Sequence, residues 1–176
     1  MRFGIATINA GITSDAKWGS SKKGKTQSTA DLLTRGWSEM NEDFIIDAVF
    51  SQEVGGMLEG GHAALSEKLQ SAASAFAWQR SGSFLCGIRS THGLQFTSTS
   101  RVSVTGNTKI ARRYVQKVDL KDQNQCLVAS FVNLHALQGG RGRTTTAAET
   151  VLHLETAKAN LSPAPVQVIL GDINKT

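Results

Sequence analysis

Apolar residues along the chain fall into short runs that predict strands and into longer stretches with helical spacing. The predicted strands cover residues 2–9, 44–52, 76–80, 84–89, 94–104, 112–120, 125–133 and 166–170, and the predicted helices cover 27–41, 63–75 and 144–160. The strands between 76 and 133 are separated by Gly, Asn and Asp, which is typical of an antiparallel meander. Strands in both halves with helices outside them predict an α/β (α+β) fold, a two-sheet β-sandwich flanked by helices, in a single domain of residues 1–176.

The composition is that of a folded globular chain. Of the 176 residues, 40% are hydrophobic and 19% are charged, which excludes a disordered chain, and no apolar run approaches the length of a membrane span. The net charge of +5 favours a polyanionic partner, such as nucleic acid or an anionic headgroup surface. Cys86 and Cys126 lie in apolar stretches and are interpreted as buried, reduced thiols, with a disulfide as the open alternative. The N-terminus lacks the apolar core of a secretory signal, which favours an intracellular protein. The sequence indicates no oligomeric state.

Four of the apolar runs end in residues able to bind metal or phosphate. The first ends at Asn9, the second at Glu53, the third at His135, and the fourth at Asp172 with Asn174 two residues later. A polar side chain at the C-terminal end of a buried strand lies at the rim of the sheet, where the sites of α/β proteins are built. We therefore expect one site assembled from four distant parts of the chain.

The chemistry of these residue types suits the cleavage of a phosphodiester. Glu53 is the best candidate for a metal ligand, because Mg²⁺ prefers oxygen ligands and keeps water positions open. The alternative interpretation of Glu53 is an exposed surface glutamate beyond the strand end. His135 suits general acid–base catalysis near pH 7, although a lone histidine is more often structural. Asp172 and Asn174 share a face of an extended strand, where they could orient water and contact phosphate or else cap a turn.

Together these segments resemble the endonuclease/exonuclease/phosphatase superfamily, which has the DNase I-like fold. The similar segments are Ala6–Asn9 at the first-strand motif, Phe50–Val54 at the metal-binding glutamate, Asn133–Ala136 at the catalytic histidine and Leu170–Asn174 at the Gly-Asp-x-Asn motif. Their order and approximate spacing agree from Arg2 to Lys175, so the resemblance covers nearly the whole chain. Within the superfamily, the segments around His135 and the loop 139–143 are most similar to those of DNase I and of the nuclease subunit of cytolethal distending toxins.

The resemblance implies Mg²⁺-dependent hydrolysis of a phosphodiester, with nucleic acid as the partner and DNA favoured over RNA. On the matched positions, Glu53 would hold the metal, Asn9 and Asn174 would orient the phosphate, His135 would be the acid–base catalyst, and Asp172 would position water or a second histidine. A phosphate-binding arginine of the family corresponds to Arg112 or Arg113, although both could equally be solvated at a strand end. Sphingomyelinases, inositol phosphatases, deadenylases and retroelement endonucleases share these motifs, so the substrate stays open.

Two features depart from the family pattern. Gln79 and Arg80 stand in the region where DNase I-like members carry a glutamate that pairs with the central histidine. The family also continues past the Gly-Asp-x-Asn strand to a Ser-Asp-His motif, whereas this sequence ends at Thr176. We therefore expect a C-terminally incomplete domain that lacks its last strands. Little hydrolytic activity is expected without the second histidine, since catalytic residues that act as a unit fail together.

Two alternative functions remain. A non-catalytic remnant of the same fold would bind nucleic acid or another partner, and its binding would be sensitive to salt and insensitive to EDTA. Residues Gly19–Thr26 match the Walker A pattern of P-loop NTPases, with Lys25 and Thr26 at the phosphates and Asp47 or Asp172 as the second aspartate. That loop must follow a strand directly, and the nearest predicted strand ends about ten residues earlier.

Overall fold

The structure is a computed structural model that describes residues 3–12, 46–54, 75–82, 84–104, 114–135 and 147–172. The strands in these residues are β1 (Ile5–Ile12), β2 (Ala48–Val54), β3 (Phe76–Ser81), β4 (Phe84–Arg89), β5 (Gln95–Ser103), β6 (Tyr114–Lys121), β7 (Leu127–His135) and β8 (Val166–Asp172), and the helix α1 spans Ala147–Asn160. The predicted helix over 27–41 and nearly all of the one over 63–75 lie outside the described residues. The predicted strands and the helix near 144–160 are confirmed, with ends that differ by up to four residues.

The strands β1 to β4 form a mixed sheet in the order β1-β2-β4-β3. β1 and β2 are parallel, whereas β4 is antiparallel to both β2 and β3. Every residue from Ala48 to Gln52 and from Phe84 to Ile88 is buried, so both faces of the two central strands are covered. This burial explains why their sequences read as continuous apolar runs and not as alternating ones.

The strand β3, at one end of this order, alternates instead. Phe76 and Trp78 are buried, whereas Ala77 and Gln79 are exposed. Trp78 is the register partner of Gly87 on β4, and a Cβ atom at Gly87 would lie only 2.5 Å from Cζ3 of the indole ring. The missing side chain at Gly87 therefore makes room for the ring against the strand.

The strands β5 to β8 form a second mixed sheet in the order β5-β6-β7-β8. The first three are antiparallel, as the meander pattern predicts, and β8 pairs with β7 in parallel after the helix α1. The helix packs on β6 and β7 through a buried cluster of Val115, Val132, Leu134 and Ala157. A helix between two adjacent parallel strands is the usual connection, because parallel neighbours require a long crossover.

A hydrogen-bonded cluster fixes the connection from α1 to β8. The buried carboxylate of Asp119 accepts hydrogen bonds from the hydroxyls of Ser130 at 2.6 Å and Ser162 at 2.7 Å, and Lys117 Nζ lies 3.4 Å from it. The backbone N–H of Ser162 donates in turn to the Ser130 hydroxyl at 2.9 Å. Pro163 follows, and because the residue before a proline resists helical dihedrals, the helix ends ahead of this cluster.

The turn between β6 and β7 is built on Asp122. Its Oδ1 accepts the backbone N–H groups of Asn124 and Cys126, each at 2.9 Å. This turn exposes Cys126, so the interpretation of a buried thiol is wrong for that residue, while Cys86 is buried as expected. The two cysteines are not joined by a disulfide.

The chain divides into two compact units, Met1–His92 and Gly93–Thr176, each with one of the sheets. The organisation of residues 1–176 as one domain stays a prediction. Among the described residues, no helix combines the length and the apolar character needed to cross a bilayer.

Candidate functional site

The parallel strands β1 and β2 end at the same edge of the first sheet, and each carries a residue of the predicted site. In their register Asn9 is the partner of Gln52, and Glu53 is the next residue on β2. Beyond Asn9 the pairing is irregular, with Ile12 opposite Val54. The backbone positions of Asn9 and Glu53 are therefore close together at this edge, where α/β sheets place their ligands.

Gln52 joins β1 to β2 immediately before Glu53. Its side chain is buried, and Nε2 donates to Thr7 Oγ1 at 2.8 Å and to the carbonyl oxygen of Phe50 at 3.5 Å. Thr7 lies two residues before Asn9, so the cross-strand bond ties together the two segments that carry predicted site residues. The role of Gln52 is not predicted from the sequence, and the signal that could have found it is an amide inside an apolar run.

The parallel pair β7–β8 ends in the same way in the second sheet. His135 is the last residue of β7, Asp172 is the last residue of β8, and the two are register partners. His135 is 8% exposed, so the imidazole is largely removed from solvent, and Asp172 is half-buried. A carboxylate beside an imidazole can orient the ring, which suits proton transfer.

A buried pair of amides lies next to His135. Asn133 precedes His135 by two residues and therefore shares its face of β7. Asn133 and Gln116 on β6 are register partners, both are 0% exposed, and Asn133 Nδ2 donates to Gln116 Oε1 at 3.1 Å. Buried polar groups that satisfy each other make their surroundings more rigid. Neither amide has a role predicted from the sequence, although each interrupts an apolar strand.

Gly171 allows β8 to approach β7 beside His135 and Asp172. Its φ is +135°, and a Cβ atom there would lie 1.9 Å from the carbonyl oxygen of Leu134. Leu134 and Gly171 are register partners, one residue before His135 and Asp172 on their strands. Only glycine adopts this conformation readily, so the glycine of the Gly-Asp segment is required by the backbone that brings Asp172 opposite His135.

Replacing Gly171 by alanine is expected to lower the free energy of unfolding by about 3 kcal/mol, because both the strained φ and the clash with a backbone carbonyl must be relieved. Gly93→Ala is the matched control, since Gly93 has a φ of +64° but its Cβ would meet only the flexible side chain of Gln123, with Nε2 at 2.5 Å. We expect that control to lose about 1 kcal/mol. Urea unfolding followed by circular dichroism measures both variants, and equal losses would contradict this account.

A metal with oxygen ligands is the cofactor that the predicted residues imply. Among the side chains that the structure describes, no group of three or more His, Cys, Asp or Glu residues could hold a metal ion. The register of β1 and β2 brings the backbones of Glu53, which bears a carboxylate, and Asn9, which bears an amide, to this edge. Mg²⁺ is commonly bound by one or two carboxylates, with water and substrate phosphate completing its shell, so this donor set fits Mg²⁺.

Several predicted residues lie outside the part of the chain that the structure describes. These are Asn174, Arg112, Arg113 and the Walker A segment Gly19–Thr26. Gln79 and Arg80, which stand in the region of a family glutamate, are exposed on β3, and Arg80 Nε donates to the carbonyl oxygen of Gly82 at 3.0 Å.

Asp47, one of the two candidates for the second aspartate of an NTPase, lies at the opposite end of β2 from Glu53. It directly precedes the strand, and its carboxylate accepts the backbone N–H of Gly4 at 2.8 Å. Ligands of α/β sheets bind beyond the carboxyl ends of the strands. The position of Asp47 therefore gives the NTPase alternative no support.

No protein-family model matches the chain, and no curated protein is significantly similar to it in sequence. Solved structures do match it. D. rerio TDP2 complexed with a single strand DNA product is 14% identical with a TM-score of 0.53, and the match covers 98% of this chain and 60% of that one. An endonuclease/exonuclease/phosphatase family protein from Bacteroides thetaiotaomicron is 12% identical with a TM-score of 0.61, covering 97% of this chain and 61% of that one. Sphingomyelinase C from Streptomyces griseocarneus is 16% identical with a TM-score of 0.54, covering 96% and 63%.

These matches extend over nearly the whole chain and share one architecture. The chain has the DNase I-like fold. The predicted fold class is thereby confirmed, and the two mixed sheets are those of a DNase I-like protein. The chain spans 60–63% of the length of these three structures. At identities of 12–16%, the similarity shows the DNase I-like fold alone.

Proposed function

We propose that the chain contains the metal-binding and histidine-bearing part of a metal-dependent phosphodiesterase. The observation that supports this proposal is the register of the two parallel strand pairs. In each pair, predicted site residues occupy neighbouring positions at the carboxyl ends, Asn9 near Glu53 and His135 opposite Asp172. Strand ends of this kind are where α/β proteins bind ligands, and the DNase I-like fold occurs in a sphingomyelinase and in an endonuclease/exonuclease/phosphatase family protein.

Each residue has a role that follows from its chemistry. A divalent metal, Mg²⁺ in this proposal, would neutralise charge on the phosphate and would be held by the carboxylate of Glu53. The amides of Asn9 and Asn174 would donate hydrogen bonds to phosphate oxygens and orient the group for attack. His135 would transfer a proton at a ring nitrogen, and Asp172 would orient the imidazole or the attacking water.

DNA is the substrate in this proposal. The net charge of +5 attracts a polyanion, and neutralisation of backbone phosphates supplies most of the affinity of non-specific nucleic-acid binding. D. rerio TDP2 has the same fold and holds a single strand DNA product, whereas another protein of this fold is a sphingomyelinase, so the fold alone does not choose the substrate. The basic charge favours nucleic acid, and Arg112 or Arg113 would contact a phosphate through its guanidinium group.

Removal of the metal tests the proposal. We expect slow nicking of supercoiled plasmid and slow hydrolysis of bis(p-nitrophenyl) phosphate in Mg²⁺, both abolished by EDTA and restored by added Mg²⁺, because the metal neutralises the phosphate. Gel electrophoresis and the release of nitrophenolate measure the two reactions. Hydrolysis that persists in EDTA would refute metal dependence. Hydrolysis of the small diester without nicking would refute the choice of DNA.

A non-catalytic function in binding nucleic acid or a partner is the second candidate, and one observation favours it. Gln79 and Arg80 are exposed on β3 in the region where the resemblance implies a carboxylate paired with the catalytic histidine. Without such a carboxylate the imidazole loses a group that orients it. DNA binding that is sensitive to salt, unchanged by EDTA and unaccompanied by cleavage would identify this function. Mg²⁺-dependent nicking would exclude it.

A further inference from the structure

The carboxylate of Asp47 connects three segments of the first sheet at the end remote from Glu53. Asp47 is 3% exposed and directly precedes β2. Its Oδ2 accepts the backbone N–H of Gly4, which precedes β1, at 2.8 Å. Its Oδ1 contacts His92 Nε2 and lies 3.8 Å from Nε of Arg89, the last residue of β4. One buried side chain thus joins the beginnings of two parallel strands to the end of a third.

Backbone hydrogen bonds reinforce the same junction. The carbonyl oxygen of Gly4 accepts the N–H groups of Asp47 at 2.8 Å and Ala48 at 3.0 Å, and the N–H of Arg89 donates to the carbonyl oxygen of Asp47 at 2.8 Å. Gly4 therefore meets Asp47 with both its donor and its acceptor. This double contact determines where β1 begins against β2.

Burial specifies the register of β1 weakly, so that register depends on specific hydrogen bonds, those of this junction and the bond from Gln52 to Thr7 farther along. Residues 3–6 are half-buried and Thr7 is exposed, so burial does not clearly favour one face over this first part of the strand. Beyond Asn9 the pairing with β2 is irregular. The regular register that ends at the Asn9–Gln52 pair is therefore set at its beginning, where Asp47 lies, and held farther along by the bond from Gln52 to Thr7.

We propose that Asp47 is a positioning residue that sets the β1–β2 register and thereby places Asn9 near Glu53. The importance of that edge rests on the proposed function. Asp47 precedes Glu53 by six residues, roughly 20 Å along an extended strand, so it acts through the strand and touches neither metal nor substrate. A slip of one residue would turn every side chain of β1 to the other face of the sheet. Buried charged groups stabilise proteins weakly, and setting register is their best-attested role.

Gly4→Pro and Gly4→Ala form a matched test. Proline removes the N–H that Asp47 accepts and leaves Asp47 with Arg89 and His92, so no buried charge loses all its partners. Alanine retains the N–H. Asp47→Leu and Asp47→Asn repeat the comparison from the acceptor side, since leucine removes the acceptor and asparagine keeps an oxygen. If the proline variant does not fold, this second pair tests whether the Asp47 contact sets the register.

Nuclear Overhauser contacts between the backbones of β1 and β2 in labelled protein report the register. We expect the contacts of the Asn9–Gln52 pair to be lost or shifted in Gly4→Pro and Asp47→Leu, and kept in Gly4→Ala and Asp47→Asn. The contacts between β7 and β8 should persist in all four variants. Wild-type contacts between β1 and β2 in the folded proline and leucine variants would overturn the proposal, as would a shifted register in the alanine variant.

Affinity for Mn²⁺, a paramagnetic substitute for Mg²⁺, separates this inference from the proposed function. We expect Gly4→Pro to bind Mn²⁺ about tenfold more weakly than Gly4→Ala, as measured by electron paramagnetic resonance of the free ion. Asp119→Asn, which changes a buried aspartate of the second sheet, should bind it as the unaltered protein does. A shifted register with unchanged Mn²⁺ affinity, or no Mn²⁺ binding by the unaltered protein, would overturn the proposed metal site and leave the register role of Asp47 in place.

Discussion

Turnover of a phosphodiester should fall about 10³-fold when Glu53 is replaced by glutamine, because glutamine keeps the shape of the side chain and loses the charge that would hold Mg²⁺. A metal that neutralises the phosphate stabilises the transition state by several kcal/mol, and about 4 kcal/mol corresponds to a factor of 10³ in rate. The apparent affinity for Mg²⁺ should fall together with the rate. Steady-state hydrolysis of bis(p-nitrophenyl) phosphate over a titration of Mg²⁺ measures both quantities.

Glu155→Gln is the control for this prediction. Glu155 is exposed on α1, so its replacement makes the same chemical change away from the predicted site. We expect this variant to hydrolyse the diester at the rate of the unaltered protein and with the same dependence on Mg²⁺. Near-normal turnover by Glu53→Gln would refute the assignment of Glu53 as the metal ligand.

Replacing His135 by alanine is expected to lower turnover by a factor of about 10² to 10⁴, the usual contribution of a positioned acid–base group. His135 lies at the end of β7 opposite Asp172, and alanine cannot transfer a proton there. The affinity for DNA should change little, because contacts with backbone phosphates dominate such binding. Plasmid nicking and fluorescence anisotropy of labelled DNA measure the two effects separately.

A second buried histidine in the same half of the chain provides the control. His153 on α1 is 1% exposed, so His153→Ala reports the effect of removing a buried imidazole without changing the end of β7. We expect His153→Ala to lose stability and to keep its turnover per folded molecule. Normal turnover by His135→Ala would remove His135 from the mechanism, and equal losses in both variants would assign the effect to folding.

The local sequence pattern predicts most of the described strands, because a strand that is buried within a sheet requires a run of apolar residues. Both ends of β4 are predicted correctly, since Gly82 and the 3-10 turn from Ser90 to His92 interrupt the apolar run on either side. The start of β2 is predicted less well, because Ile46 and Asp47 are buried within the apolar run and yet precede the strand. The partner of Asp47 is Gly4, which is 43 residues away, and such a contact has no local signature.

The same distinction applies to the candidate site. Polar residues at strand ends are visible in the sequence, and the parallel registers bring them together in pairs, whereas their catalytic roles stay predictions. The amides that support them were not predicted. Gln52 is hydrogen-bonded to Thr7, 45 residues away, and Asn133 to Gln116, 17 residues away. The role of each amide therefore depends on a partner in another strand, which the local sequence does not show. Gly171 is visible in the sequence as part of the Gly-Asp-x-Asn motif, but the structural need for glycine comes from the carbonyl oxygen of Leu134 on another strand.

Each sheet draws all its described strands from one continuous part of the sequence, since β4 ends at Arg89 and β5 begins at Gln95. A chain that emerges from the ribosome N-terminus first can therefore form the first sheet before the second has emerged. Trp78 becomes buried as that sheet forms, and the other two tryptophans, Trp18 and Trp37, also precede residue 92, whereas the single tyrosine is Tyr114. Tryptophan fluorescence thus follows the folding of the first half of the chain by itself.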